Sequence, residues 1–363
     1  MDEVRYMRRC LDLARMGEGK TAPNPMVGSV IVYQGRIIGE GYHHHHGEAH
    51  AEVNAIEAVK DKRQLQESTL YVNLEPCSHY GKTPPCSDRI IQEGIPRVVI
   101  GTTDSNSLVG GKGIEKMQKA GLDVHVGVLE EECHYLNRSF FTYHQHQRPY
   151  VILKWAQTID GFMDKKRSLS ESPHVNWITG ERLKVLVHRW RAVHPAILVG
   201  SVTALNDNPA LTVREWVGEN PLRLVVDEEN TLPSHLQLFD QQVPTIVFSQ
   251  KAKADKKNLR HIQLDFAAPI ASQVLQYLYQ QQIQSLIVEG GRKMLETFIR
   301  EGLWDEIRVL SGDKFFYSGL KAPAVPKQAQ TIDHVGNDRL IHVVNPANPF
   351  LALKAKSNNG EKR

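Results

Sequence analysis

The sequence predicts an α/β protein built from two domains. Runs of β-branched residues alternate with segments of helical periodicity, which favours layered sheets covered by helices. The alternation is interrupted once, near residues 142–149, and then resumes. A chain of 363 residues is long enough for two separate cores, and its 41% hydrophobic and 23% charged residues are typical of globular proteins.

The first half begins with a predicted helix and a hairpin. Val4, Met7, Leu11 and Ala14 have helical spacing, so the N-terminal segment is predicted to be an amphipathic helix and not a signal peptide. Two β-branched runs flank Gln34-Gly35, which predicts a β-hairpin. The remaining predictions are helices over 50–60, 87–94 and 113–121, a helix that contains Cys133, and strands over 69–76, 97–104 and 122–128.

The polar stretch "TYHQHQRP" marks the predicted boundary between the domains. We expect domains over 1–146 and 147–355, followed by a disordered tail over 356–363, whose sequence is polar. Strands of the second domain are predicted at "YVILKWA", "AILVG", "LRLVVD", "TIVFS", "SLIVEGG" and "EIRVL", with helical segments between several of them.

Composition excludes several classes of function. The net charge of +3 is mild and the basic residues are scattered, so we expect no nucleic-acid partner and no acidic membrane surface. No window approaches the roughly 18 unbroken apolar residues that a membrane span needs. Four cysteines in a chain of this length do not form a disulfide framework, and a cytoplasmic protein is therefore expected.

One histidine and two cysteines are the strongest chemical signal. The stretch "HHHHGEAHAEVNAI", residues 43–56, ends in a predicted helix that His50 opens. Cys77 and Cys86 follow a predicted strand in "EPCSHYGKTPPC". Helix starts and strand ends lie at the edge of an α/β layer, so these three side chains can converge there. This set of nitrogen and sulfur ligands suits Zn²⁺.

The rest of the pattern favours a catalytic zinc over a structural one. Cys10 and Cys133 fall inside predicted helices without a neighbouring ligand, so a fourth protein ligand is not expected. Three ligands and one open position are typical of catalytic zinc, whose bound water has a pKa of about 7. Glu52 lies two residues after His50, close to the metal without binding it, as a proton shuttle requires.

His-x-Glu followed by Pro-Cys and a second Cys is the zinc-deaminase signature. This chain departs from it in spacing, because eight residues separate Cys77 from Cys86 where nucleobase deaminases usually have two. The inserted loop contains Lys82, and its use is predicted to be the binding of a phosphorylated substrate.

Several segments resemble the bifunctional riboflavin-biosynthesis deaminase/reductase family. In the first half they are "PNPMVGSVIV", "GEGYH", "HAEVNAI" and "LEPCSHYGKTPPCSDRII". In the second half they are "LKWAQTIDG", "NWIT", "WRAVHPAILVGSVTALNDNPALTVR" and "VEGGRKML". The resemblance covers nearly the whole chain. It implies a cytidine-deaminase-like three-layer α/β/α domain followed by a dihydrofolate-reductase-like α/β domain.

The resemblance also implies two reactions on small phosphorylated pyrimidines. The first is zinc-dependent hydrolytic deamination of a diaminopyrimidinone that carries a ribosylamino 5′-phosphate. The second is NADPH-dependent reduction of the ribosyl group to ribityl. A homo-oligomer is compatible with these activities.

In the first domain the family's zinc ligands correspond to His50, Cys77 and Cys86, and its proton shuttle to Glu52. Of the histidine run only His50 is then expected to bind, while residues 44–46 form a solvated turn. Asn24 and Lys82 are candidates for substrate binding. The alternatives are that the asparagine between prolines is only a turn residue and that the loop lysine is only solvated.

In the second domain no G-x-G-x-x-G motif is present, but a glycine pair between a strand and a helix can hold a phosphate. The family's cofactor positions correspond to Ala156, Trp177, Thr203, Asp207, Gly290, Gly291, Arg292 and Lys293. Its substrate positions correspond to Arg191, Leu211, Arg214 and Glu289.

Some of these residues have simpler alternatives. Arg191 and Arg214 suit a phosphate clamp, since guanidinium groups bind phosphate bidentately, but each could form a surface ion pair instead. Trp177 could cover a flat ring or be buried in the core. Asp207 could only cap a helix or form a turn before Asn208-Pro209.

Two features of the sequence depart from the family pattern. The run "DKKRSLSESPHVNWIT" is longer than the family's, and Glu228 is unusual near a cofactor phosphate.

Two rival functions are compatible with parts of the pattern. One rival is a nucleobase or tRNA deaminase fused to an unrelated C-terminal module. The other is a non-enzymatic binding module that zinc stabilises.

Overall fold

The computed structural model describes residues 2–78, 84–104, 110–167, 172–326 and 330–348. Lys82, the predicted domain end at 355 and the predicted tail over 356–363 lie outside these residues. The chain divides into two compact units, Met1–Gln147 and Arg148–Arg363.

The first unit alternates helices and strands in the predicted order. Its elements are α1 (Asp2–Arg15), β1 (Gly28–Tyr33), β2 (Arg36–Tyr42), α2 (Ala51–Ala58), a 3₁₀ helix (Lys62–Glu67), β3 (Thr69–Leu74), α3 (Cys86–Gln92), β4 (Arg97–Thr102), α4 (Lys112–Lys119), β5 (Asp123–Val126), α5 (Glu130–Leu136) and α6 (Arg138–His146).

These strands form one sheet with helices on both faces. The strand order is β2-β1-β3-β4-β5; β1 is antiparallel to β2 and β3, and β3, β4 and β5 are parallel. Because side chains alternate along a strand, Val30 and Val32 pack with α1 and α5, whereas Ile31 packs with α2, α3 and α4. The three-layer α/β/α prediction is confirmed.

Two local predictions in this unit need correction. Val4 is 40% exposed, and Tyr6 and Cys10 occupy the buried face of α1 in its place. The polar boundary stretch is partly helical, because α6 continues to His146. The hairpin prediction is confirmed: Gln34 and Gly35 both have positive φ, which the favoured two-residue turns require.

The second unit is a larger α/β structure. Its elements are β6 (Tyr150–Thr158), β7 (Phe162–Asp164), α7 (Glu181–Val193), β8 (Ala196–Gly200), α8 (Ser201–Asp207), β9 (Leu222–Val226), a 3₁₀ helix (Gln237–Phe239), β10 (Thr245–Ser249), β11 (Leu259–Gln263), α9 (Ile270–Gln280), β12 (Ser285–Val288), α10 (Arg292–Arg300), β13 (Glu306–Gly312), β14 (Leu320–Lys321), β15 (Gln330–Val335) and β16 (Asp338–Val344).

Its main sheet has the order β11-β10-β9-β8-β12-β6-β13-β16-β15. The seven strands from β11 to β13 in this order run parallel, and β16 and β15 extend the sheet antiparallel. All six strands predicted for this half are present. Five strands in the described part of this unit were not predicted: β7 and β14, which pair in a separate sheet, and β11, β15 and β16. Of these, β11 and β15 are edge strands of the main sheet with mostly exposed or half-buried side chains.

Helices cover both faces of this sheet. Apolar side chains of α9 and α10 pack on one face, and those of α7 and α8 pack on the other. The carboxyl ends of parallel strands meet along one edge, which is where open α/β sheets bind ligands. No helix in the described parts of either unit is long and apolar enough to cross a bilayer.

Candidate active sites

Three segment ends place the predicted metal ligands together. His50 is the N-cap of α2, Cys77 follows β3, and Cys86 is the first residue of α3. Nδ1 of His50 lies 3.6 Å from Sγ of Cys77 and 3.3 Å from Sγ of Cys86. The three ligand atoms lie within 4.8 Å of one another, and they are the one such group of metal-binding side chains among the described residues.

The electrostatics of the cluster favour the thiolate form of one of the two cysteines, Cys77. The pKa of Cys77 is lowered, first by a hydrogen bond with the Cys86 thiol and then by its hydrogen bond with His50. The backbone N–H of Cys86 also donates to Sγ of Cys77, at 3.3 Å. Thiolate is the form that binds metals, so the surroundings of Cys77 prepare it as a ligand. Cys10 and Cys133 are buried in the layer on the opposite face of the sheet.

Glu52 lies on the first turn of α2, beside this cluster. Its side chain is buried, with the residue only 3% exposed, and its Oε2 has no hydrogen-bond partner among the described residues. Burial raises the pKa of Glu52 to about 7, while the nearby His50 acts in the opposite direction. A buried carboxyl group with a free oxygen beside metal ligands is suited to proton transfer.

The histidine run divides into one buried and three exposed members. His43 is buried, and its Nδ1 lies 3.1 Å from the carbonyl oxygen of Ala49. A carbonyl can only accept, so Nδ1 carries the proton and Nε2 accepts from the Asn24 amide, 3.1 Å away. The side chains of residues 44–46 are exposed, as predicted for a turn.

Asn24 is therefore more than a turn residue, because its side-chain amide is fixed by His43. Lys82 lies outside the described residues.

Glu75 is a buried residue directly after β3 that was not predicted from the sequence. Its carboxylate accepts hydrogen bonds at 2.9 to 3.3 Å from the backbone N–H groups of Asp104, Gly111, Gly113 and Ile114. Its signal in the sequence was a charged residue at the end of an apolar strand.

The second unit contains a cavity of about 1120 Å³. Every cofactor and substrate residue predicted for this domain lines it: Ala156, Trp177, Arg191, Thr203, Asp207, Leu211, Arg214, Glu289, Gly290, Gly291, Arg292 and Lys293. These residues come from the ends of parallel strands, from helices and from the segments that connect them, so positions far apart in sequence line one cavity.

A buried ion network occupies one wall of the cavity. Nε and Nη2 of Arg191 donate to the two carboxylate oxygens of Glu289 at 3.0 and 2.7 Å, and Nζ of Lys154 lies 3.5 Å from the same carboxylate. Burial would raise the pKa of Glu289, but the charges of Arg191 and Lys154 lower it to about 2. Arg191 is thus held by Glu289, and only Arg214 of the predicted clamp presents an exposed side chain.

The glycine pair lies between β12 and α10. A Cβ on Gly291 would lie 2.8 Å from Oγ1 of Thr203, so the turn packs closely against α8. Gly291 is the N-cap of α10, where backbone N–H groups and the helix dipole favour a phosphate. Arg292 is paired with Glu296 at 2.7 Å.

Trp177 and Asp207 also line the cavity. Their environments differ from the simpler alternatives, which were burial in the core for Trp177 and a cap or turn for Asp207. Trp177 is 56% exposed and is not part of the core. Asp207 ends α8, and its carboxylate accepts from Nη2 of Arg167 at 2.8 Å. Burial raises the pKa of Asp207. Arg167 belongs to the run that departs from the family pattern, and it was not predicted as a site residue.

Two more cavity residues were missed. Lys154 is the one charged residue of strand β6 and lies among apolar neighbours, and this isolated charge was a readable signal. His188 is almost completely buried on α7, three residues before Arg191, where helical spacing places both on one face.

Comparison with known proteins identifies both units. Residues 1–102 match the family model of the cytidine and deoxycytidylate deaminase zinc-binding region, and residues 149–328 match that of the RibD C-terminal domain. A riboflavin biosynthesis protein RibD of Aquifex aeolicus is 42% identical over 320 residues, covering 87% of this chain and 88% of that protein. This chain belongs to the RibD family.

Other RibD proteins are similar over the full length. The RibD of Escherichia coli K12 is 34% identical, and the match covers 95% of this chain and all of that protein. The crystal structure of a Thermotoga maritima diaminohydroxyphosphoribosylaminopyrimidine deaminase/5-amino-6-(5-phosphoribosylamino)uracil reductase has a TM-score of 0.85 at 37% identity, with 95% of this chain and 99% of that chain covered.

As a RibD protein, the chain is a bifunctional enzyme of riboflavin biosynthesis with a zinc-binding deaminase domain and a reductase domain. The predicted fold of both domains is confirmed. Both rivals are wrong, because the C-terminal module is the family's reductase domain and the protein is an enzyme.

Proposed function

We propose that the first domain deaminates 2,5-diamino-6-ribosylamino-4(3H)-pyrimidinone 5′-phosphate by hydrolysis. The second domain then uses NADPH to reduce the ribosyl group of 5-amino-6-(5-phosphoribosylamino)uracil to ribityl. The observation that carries the proposal is the convergence of His50, Cys77 and Cys86 beside the buried Glu52 in a RibD chain.

The donor set fits zinc. One imidazole nitrogen and two sulfurs within 4.8 Å of one another are the borderline-soft ligands that Zn²⁺ prefers, and His50, Cys77 and Cys86 would hold it. When bound, zinc supplies a Lewis acid that activates water for attack on the ring carbon bearing the amine.

Glu52 moves the protons of this reaction. Its unpartnered Oε2 would take one proton from the attacking water and deliver it to the ring nitrogen. It would then carry the proton that remains on the added hydroxyl to the departing amine, so that the carbonyl forms, the C–N bond breaks and ammonia leaves. Asn24 binds the substrate. His43 orients the Asn24 side chain, because its Nε2 accepts a hydrogen bond from the Asn24 amide. Lys82 remains a candidate for holding the substrate phosphate.

The cavity of the second domain fits a dinucleotide. Its volume of about 1120 Å³ exceeds that of a typical small-ligand pocket, and the Gly290-Gly291 turn at the start of α10 offers backbone N–H groups to a phosphate. Ala156, Trp177, Thr203, Asp207, Arg292 and Lys293 line the cofactor's part of the cavity. NADPH supplies the hydride.

The remaining cavity residues hold the second substrate. Arg214 binds its phosphate, Leu211 packs against it, and the Glu289 carboxylate is kept charged and oriented by Arg191 and Lys154. The hydride acceptor is the ribosyl carbon that becomes part of the ribityl chain.

The purified full chain tests this proposal. With the diaminopyrimidine substrate and NADPH, ammonia release should precede loss of the NADPH absorbance, and a zinc chelator should stop both. With the deaminated pyrimidine supplied directly, NADPH oxidation should continue in the presence of chelator. Ammonia release that resists complete zinc removal, or no NADPH oxidation with the deaminated pyrimidine, would contradict the corresponding half.

A further inference from the structure

His188 is a cavity residue to which the proposed mechanism gives no role. It lies on α7, its relative exposure is only 2%, and its ring lines the reductase cavity. Histidines buried to this degree normally satisfy both ring nitrogens. The partners of the two nitrogens therefore indicate what this side chain does.

One nitrogen is fully accounted for. The backbone N–H of Arg214 donates to Nδ1 of His188 at 3.0 Å, so Nδ1 has no proton of its own. In the neutral ring the proton must then be on Nε2. This nitrogen has no protein acceptor among the described residues. The tautomer thus leaves an N–H donor at the cavity wall.

The ring is neutral because of its surroundings. Burial, and after it the charges of Arg191 and Arg214, lower the pKa of His188 to about 4. A second ring proton would also clash with the N–H of Arg214. The imidazole therefore offers one fixed N–H in a positively charged part of the cavity, which favours an anionic acceptor.

The neighbouring groups favour a phosphate over a carboxylate of the protein. The carboxylate of Glu289 is already bound by Arg191 and Lys154. Nη1 of Arg214 donates to Oγ1 of Thr212 at 2.8 Å, which uses one of the five guanidinium N–H groups and leaves others for a ligand. Arg214 and His188 are thus joined by the bond from the Arg214 backbone to the ring, and each keeps an N–H donor that no carboxylate among the described residues accepts.

We propose that Nε2–H of His188 donates a hydrogen bond to the 5′-phosphate of the pyrimidine that the reductase reduces, together with the guanidinium of Arg214. This inference rests on the proposed reductase function. It makes His188 a determinant of specificity for phosphorylated over unphosphorylated substrate.

Two substitutions separate this role from support of the Arg214 loop. In His188→Asn the amide oxygen can replace Nδ1 as acceptor for the Arg214 N–H, but no donor reaches the position of Nε2. In His188→Gln the longer side chain brings an amide N–H to that position. His334→Gln, an exposed change on β15 of the same domain, is the matched control.

The experiment compares the deaminated pyrimidine nucleotide with its 5′-dephosphorylated form by NADPH oxidation. With the nucleotide, His188→Asn should raise KM on the order of 10-fold with kcat within about twofold, the effect expected for one hydrogen bond to a charged group. With the dephosphorylated form it should match wild type. His188→Gln should stay within about threefold of wild type, and deamination should be unchanged in all variants.

Other outcomes would overturn the inference. An equal loss with both substrates would mean that His188 only supports the fold of the site, and no loss with either would mean that Nε2–H binds nothing. Failure of the wild-type chain to oxidise NADPH with the nucleotide would instead contradict the proposed reductase function, so the two failures are distinguishable.

Discussion

The two active sites keep their polar groups in different states. In the first domain the ligand atoms of His50, Cys77 and Cys86 contact one another, and one oxygen of Glu52 has no partner among the described residues. In the second domain one buried acidic group of the cavity wall, Glu289, is paired with two basic side chains, Arg191 and Lys154.

This difference indicates how each site depends on its ligand. A cluster of nitrogen and sulfur ligands needs a cation to be complete, whereas a satisfied ion network keeps its groups oriented before any substrate arrives. Activity at the first site is therefore expected to fall when a single proton-transfer group such as Glu52 is removed. The second is expected to be sensitive to breaking its charge balance.

Glu52→Gln sharpens the comparison most. Glutamine keeps the shape of the side chain but cannot shuttle a proton, so kcat for deamination should fall about 10³-fold. Ammonia release measures this. Bound zinc, measured by elemental analysis, and NADPH oxidation with the deaminated substrate should both equal those of wild type.

Glu48→Gln is the matched control, since Glu48 is exposed in the turn before His50. It should leave deamination within about twofold of wild type, as surface changes usually do. Normal turnover in Glu52→Gln would remove this residue from the mechanism.

Glu289→Gln tests the charge balance of the second site. It leaves Arg191 and Lys154 buried without their anion, and breaking a buried pair costs about 3 kcal/mol or more. Reorientation of these groups should also lower the reductase rate about 100-fold. Urea unfolding of the second domain and NADPH oxidation measure the two effects. A fully stable variant would show that the network is not needed.

The same carboxylate should give the second domain an acid-sensitive stability. Its pKa is lowered from 4.5 to about 2, so the stabilisation is fully present above pH 4.5 and is lost as the pH falls towards 2. The contribution is roughly 3 kcal/mol. Unfolding free energies measured across this range should fall more steeply for wild type than for Glu289→Gln. Parallel curves would contradict the pairing.

Arg167→Ala tests a smaller effect in the part of the cavity that we propose for the cofactor. Arg167 donates to the carboxylate of Asp207 and to the carbonyl oxygen of His174, at 2.8 and 2.9 Å, and so ties the segment before Trp177 to α8. Its loss should raise KM for NADPH about 10-fold, since a charged, half-buried hydrogen-bond network is removed.

Initial rates at varied NADPH check this prediction. Lys166→Ala, a neighbouring exposed change, should leave KM for NADPH unchanged. If both variants behaved alike, the contacts of Arg167 would have no part in cofactor binding.

The sequence predicted best what local rules determine. His50, Cys77 and Cys86 could be brought together from the sequence because each stands at an element boundary, and such boundaries meet at a sheet edge. The hairpin at Gln34-Gly35 was predictable for the same reason, since its turn type depends on two adjacent residues.

Pairings over long separations could not be predicted in this way. Arg191 and Glu289 are 98 positions apart, and nothing in the sequence indicated that they bind each other and not a phosphate. Arg167 lies 40 positions from Asp207, in a run that is longer than the family's. The signal of β15 was weak because most of its side chains are exposed, so apolar periodicity was absent.

The smallest effect concerns the histidine run itself. His44, His45 and His46 are exposed, and the contact of His45 with Glu48, at 3.2 Å, is a surface one. Replacing all three with glutamine should leave deamination and bound zinc within about twofold of wild type, because surface changes rarely exceed 0.5 kcal/mol. A loss of zinc in this triple variant, measured by elemental analysis, would mean that a neighbour of His50 contributes to the metal site.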